Sequence, residues 1–180
     1  LGYRHITGVK AWGPLAKARY LDHLYKSKKS KFDNDNDLYK ELAKIIGSKG
    51  YYVKRLHTAF RAYLKVEENN FFSINGLDEN TIEFSNFNDG LTKFQYIGKF
   101  VGVNFENTDP IERLNVKSLE EVCKWMFERS SESITRLGEV RNLPKLNAIL
   151  NPEYPEALKA FRDGKPINEA VLLTDEPNLV

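Results

Sequence analysis

Apolar residues recur along this chain at helical rather than strand spacing, in blocks separated by polar tracts. Leu15, Ala18, Leu21 and Leu24 share one face of residues 14 to 27, and Pro14 suits a first turn, so this block predicts an amphipathic helix. The basic run Lys26 to Lys31 and the acidic-amide tract Asp33-Asn34-Asp35-Asn36-Asp37 break the pattern and predict a loop, with Asp37 as N-cap of the next helix. Periodicity resumes over residues 38 to about 67 as two helices. Residues 79 to 88 and 91 to 102 read as two short helices in which Phe84, Phe87, Phe94, Tyr96 and Phe100 supply an aromatic cluster. Between Asn104 and Lys117 periodic apolar residues are few, which places the main boundary there. Ser118-Leu119-Glu120-Glu121 matches a capping box opening a helix to about Arg129. Residues 142 to 150, 153 to 163 and 167 to 174 fit short helices divided by Asn151-Pro152 and Gly164-Lys165-Pro166. Strand alternation is confined to the first ten residues. The expected fold is mainly α: a helical domain over residues 1–110 containing a helix-turn-helix at about 37–66, followed by a small helical bundle over 111–180.

The segment from Leu38 to Lys65 carries the most specific spacing in the chain. Ala43 is small where two helices cross, Gly47 can take the positive φ that ends the first, and Val53 and Leu56 seat the second helix on the first. At 100° per residue, Val53, Leu56, Phe60 and Leu64 form an apolar stripe, while Tyr51, Lys54, Arg55, Thr58, Arg61 and Lys65 fall on the other side. From Lys49 to Lys65 there is no Asp or Glu. A helix that only meets solvent usually mixes signs, so this one-signed face points to double-stranded DNA as partner.

The expected contact residues are Ser48, Lys49, Gly50, Tyr51, Tyr52, Lys54, Arg55, Thr58 and Arg61. Arg55 has the planar fork that pairs with guanine O6 and N7, Lys49 and Lys54 suit phosphates, and Ser48 caps the helix and, with Gly50, offers backbone N–H groups to a phosphate. Lys26, Lys28, Lys29 and Lys31 would add phosphate contacts nearby. The competing explanation is that two helices joined at a glycine simply pack, leaving a protein-interaction scaffold whose basic face meets an acidic partner.

Composition adds bounds. With 180 residues, 41% hydrophobic and 29% charged, the chain fits one domain or two small ones, and neither disorder nor a membrane protein is favoured. No apolar run approaches the ~20 residues of a membrane span, and no signal peptide opens the chain, so a cytoplasmic, nucleoid-associated location is expected. Leu1 in place of Met suggests a fragment with sequence upstream. The single Cys123 lies among Leu119, Val122, Met126 and Phe127 and reads as a buried thiol. Trp125, Met126 and Phe127 either pack internally, which is the safer reading, or support a homodimer across a two-fold DNA site.

Catalytic signals are mostly negative, so the chain is expected not to be an enzyme and to hold neither cofactor nor metal. Gly47-Ser48-Lys49-Gly50 is a turn rather than a phosphate loop. Asp33 to Asp37 imitates a calcium loop, but Leu38 stands where glycine belongs and Lys44 where the bidentate glutamate belongs. His5, His23 and His57 are far apart, and one cysteine does not complete a zinc site. His57 reads as a packed histidine.

Arg4-His5-Ile6-Thr7-Gly8, the helix opened by Pro14-Leu15-Ala16-Lys17-Ala18, and the helix-turn-helix together resemble the middle of ParB-like proteins of the ParB/sulfiredoxin superfamily, over residues 1 to about 66. The resemblance implies DNA binding by the helix-turn-helix and a nucleotide-binding domain upstream of Leu1. Arg4 and His5 stand where the family has a Glu and Asn that help hold nucleotide and metal, so no nucleotide site is carried over. A further alternative is that these residues are the accessory part of a nucleotide-using enzyme of this superfamily.

Overall fold

A computed structural model of the protein describes residues 12–180, so the Arg4–Gly8 segment and its strand-like neighbours lie outside the described residues. The fold is mainly α, as the apolar periodicity predicts, with no strand among the described residues. None of the described helices is long and apolar enough to cross a membrane. The chain forms two compact units, one ending at Arg61 and one running from Ala62 to Val180.

In the first unit, α1 (Pro14–Lys28) starts on Pro14, whose missing N–H costs nothing in a first turn. It runs through Lys28, three residues into the basic stretch expected as loop, and Lys29–Lys31 continue as a 3-10 turn. Asn34, not Asp37, caps α2 (Asp35–Ile46): its side-chain oxygen accepts from the Asp37 N–H at 2.9 Å. The acidic tract is therefore the start of a helix, with Asp35 and Asp37 in the first turn where the dipole favours carboxylates. Gly47 ends α2 at φ 68° and donates to the Ala43 and Lys44 carbonyls. In α3 (Gly50–Glu68), whose residues from Ala62 onward belong to the second unit, the Val53 N–H donates to the Lys49 carbonyl at 3.1 Å, which puts Lys49 rather than Ser48 at the cap position. Ala18, Leu21, Leu38, Leu42, Ala43, Val53, Leu56 and Phe60 are buried.

The second unit holds α4 (Phe84–Lys93), α5 (Gln95–Val101), α6 (Val116–Phe127), α7 (Leu143–Ile149), α8 (Pro155–Arg162) and α9 (Ile167–Ala170). The first of these begins later than the spacing suggests, because Asp78 accepts from the Asn80 and Thr81 N–H groups and folds residues 78–81 into a turn. Asn115 rather than Ser118 caps α6, accepting from the Ser118 N–H at 3.1 Å. The boundary expected at residue 110 falls inside this unit. Residues 104–115 are tied down by bonds from Asn104 N–H to the Pro110 carbonyl and from Asn115 N–H to the Val101 carbonyl, each 2.9 Å, and α5 packs on α6. Phe84 and Phe87 are buried, whereas Phe94, Tyr96 and Phe100 are half-exposed. Trp125 and Met126 pack internally, with the Trp125 ring 5.8 Å from Phe100 and 5.3 Å from Phe161. Cys123 is fully buried, and burial pushes its thiol pKa up.

Asn70, Phe71, Phe72 and Ser73 all have φ between 50° and 54°, a left-handed turn without glycine. Each such residue costs about 1–2 kcal/mol. Phe71 sets its ring against Tyr63 at 6.1 Å. Further along, the Arg136 guanidinium donates to the carbonyls of Gly164 and Lys165, both 3.1 Å, and of Phe161, and lies 4.5 Å over the Phe161 ring. It thereby caps the C-terminal end of α8 with a cation. Arg136→Ala is expected to destabilise the second unit by about 2 kcal/mol, the scale of a charged hydrogen-bond set. Lysine at 136 should not restore it, lacking the fork. Thermal unfolding of the three proteins checks this; an unchanged midpoint for Arg136→Ala rules it out.

Candidate nucleic-acid interface

A buried polar chain fastens the helices of the first unit. Asp22 on α1, Tyr39 on α2 and His57 on α3 meet in sequence: Tyr39 Oη lies 2.7 Å from His57 Nδ1, and His57 Nε2 lies 3.0 Å from Asp22 Oδ1. Lys26 closes the far side of Asp22 at 2.7 Å, and the Tyr25 ring covers the imidazole at 4.4 Å. Burial raises the Asp22 carboxyl, but hydrogen bonds and charges from His57 and Lys26 outweigh it and hold it at about 2. Burial pushes the His57 imidazole below its ordinary value, against the lift from Asp22. A neutral His57 fits every partner in one tautomer, with Nε2–H donating to Asp22 and Nδ1 accepting from the Tyr39 hydroxyl. The order Asp, His, hydroxyl is that of a catalytic relay. With His57 at 0% exposure, however, the chain acts as a clamp that fixes α3 against α1 and α2.

That clamp aims the start of α3 outward. Ser48 and Lys49 are exposed, Tyr51 and Tyr52 are 63% and 46% exposed, and Gly50, Lys54 and Arg55 are half-buried. Val53, Leu56, His57 and Phe60 occupy the buried side.

Two expected contact residues behave differently. Thr58 is 1% exposed, because its hydroxyl turns back to donate to the Lys54 carbonyl at 2.7 Å, and so it leaves the face. Arg61 is half-buried; burial raises the Asp35 carboxyl of α2, but hydrogen bonds from Lys29 and Tyr25 hold it below its ordinary range, and the charges of Lys29 and Arg61 add to them. The basic run before α2 is also partly spent: Lys26 pairs with Asp22, and Lys29 with Asp35.

Next to this face a cavity of about 190 Å³ opens, walled by Trp12, Tyr20, Tyr52 and Leu56 with Lys17 and Ser48 on its polar side. Trp12 and Tyr20 meet edge to face at 5.1 Å. Sequence periodicity had no way to find this site, since it joins Trp12 ahead of α1, Lys17 and Tyr20 of α1, the turn and α3. Among the described residues, no three His, Cys, Asp or Glu side chains are grouped to share a metal ion.

No family model matches the chain, and no solved structure matches it. An 81-residue segment, 45% of the chain, is 31% identical to the cyclic 2,3-diphosphoglycerate synthetase of Thermococcus onnurineus (strain NA1), and covers 19% of that protein. The match thus spans less than a fifth of the relative's length. It corrects the expectation that the chain is not an enzyme, because part of it resembles a segment of one.

Proposed function

We infer that the first unit binds double-stranded DNA, with the N-terminal turns of α3 entering the major groove. The observation that carries this reading is the placement of Lys49, Tyr51, Tyr52, Lys54 and Arg55 at the solvent-facing start of a clamped helix whose other side is buried. Arg55 addresses a guanine edge, Lys49 and Lys54 address phosphates, and the backbone of Ser48 and Gly50 borders the same surface. Arg61 lies at the margin. The resemblance to ParB-like proteins supports the same reading, and with it a nucleoid location and pairing of two chains across a two-fold site.

The test is duplex binding by the full chain over a salt series, with Lys54→Ala/Arg55→Ala beside the wild type. The double variant is expected to bind at least tenfold more weakly at low salt, and its log–log salt slope should be shallower by about 1 to 2. Equal binding by both proteins, or none at low salt, overturns the groove reading.

The segment shared with the synthetase favours a second reading, in which these helices are the accessory part of a larger enzyme that uses a phosphorylated small molecule. Calorimetric titration with cyclic 2,3-diphosphoglycerate separates the two. Saturable binding that Lys54→Ala/Arg55→Ala leaves intact supports the second reading, and no heat at millimolar ligand counts against it.

A further inference from the structure

We propose that the cavity beside the turn receives a single unpaired nucleobase, so that the protein prefers DNA with an extrahelical base to fully paired duplex. This rests on the reading of α3 as a DNA-binding helix. Trp12, Tyr20 and Tyr52 give the cavity aromatic walls, and stacking on such walls tolerates any base, since every base has a π-face. At about 190 Å³ it falls below the roughly 300–1,000 Å³ of pockets for drug-sized ligands, which limits the occupant to one ring system. Ser48 brings a hydroxyl that donates to or accepts from a base edge.

The surroundings say what carries the ring. Lys17 lines the cavity and is exposed, Lys49 is exposed next to Ser48 in sequence, and no carboxylate is among the described residues of the lining. A rim of one positive sign suits a polyanion, whose phosphates flank every base. An aromatic side chain of a protein partner carries no charge of its own to match that rim, and would gain only a weak cation–π contact. Tyr52 belongs to both surfaces: it is exposed at the start of α3 and it walls the cavity. A base leaving the stack beside the groove-facing turn therefore meets the aromatic wall at once. Unpairing is least costly for a base that already has no partner, and this makes the bulged duplex the preferred ligand.

The experiment uses the full chain and three duplexes of one sequence: fully paired, carrying one bulged 2-aminopurine, and carrying an abasic bulge. The expected result is about tenfold tighter binding of the 2-aminopurine bulge than of either other duplex, with its fluorescence quenched on binding. Trp12→Ala, a half-exposed position ahead of α1, should bring the ratio of bulged to paired affinity close to one, and Tyr20→Ala should do the same. If the base and abasic bulges bind alike while the paired duplex still binds, the cavity proposal is wrong and the groove reading stands. A base preference that Trp12→Ala retains is also fatal to it. Failure to bind all three duplexes overturns both ideas. Binding of N-acetyltryptophanamide without any base preference assigns the cavity to a protein side chain instead.

Discussion

His57→Ala is expected to destabilise the first unit by about 3–5 kcal/mol, from the cavity left at a fully buried site and from the buried hydrogen bonds lost to the Tyr39 hydroxyl and the Asp22 carboxylate. Urea unfolding followed by circular dichroism measures it; a midpoint equal to wild type removes the clamp from the account. The same network sets a pH dependence. The His57 and Asp22 pKa values in the folded protein both lie below their ordinary values, so each stabilises the fold at higher pH and ceases to do so as pH falls. For His57 the contribution is full above about 6.5, and it shrinks below that as the unfolded chain takes up a proton that the buried imidazole resists. For Asp22 it is full above the ordinary 3.8 and is lost as pH falls towards about 2, for about 2 kcal/mol in all. His57→Gln should flatten the stability profile between pH 7 and 5 relative to wild type, and should also shrink the acid limb below pH 4, since only Lys26 then remains of the two groups that hold the Asp22 carboxyl low.

What the sequence showed and hid divides along contact range. Ala43, Gly47, Val53 and Leu56 were legible because a turn between helices is fixed by residues a few positions apart. The cap of α2 was misplaced because Asn34 and Asp37 are chemically near-equivalent acceptors within one polar tract, and only backbone direction chooses between them. Thr58 was placed on the outer face because a helical wheel knows angle but not what a hydroxyl bonds to, and here it bonds to its own helix. The clamp could not be read at all: Asp22, Tyr39 and His57 lie on three different helices, and none of them interrupts a pattern. The left-handed turn at Asn70–Ser73 carries no glycine, so the usual signal for positive φ is missing.

Gly102→Ala should be among the most damaging single changes in the second unit, costing about 3–5 kcal/mol or preventing that unit from folding. Two costs add. At φ 86° Gly102 is left-handed, where a side chain costs about 1–2 kcal/mol. A Cβ there would also collide with the Arg113 carbonyl oxygen, 2.8 Å from its carbon and 3.0 Å from the Leu114 Cα. All are main-chain atoms, so relief requires moving the loop rather than turning a side chain, and overpacking of this kind costs about 1–3 kcal/mol or more. Gly164→Ala separates the two costs, since its φ is 102° but no atom lies within 4 Å of its Cβ position; it should lose only the left-handed strain. Thermal unfolding midpoints compare them directly. The approach of residue 102 to residues 113 and 114 is also what makes 104–115 part of the second unit instead of a linker. Equal losses from Gly102→Ala and Gly164→Ala would mean that this loop is not held, and the boundary near residue 110 would return.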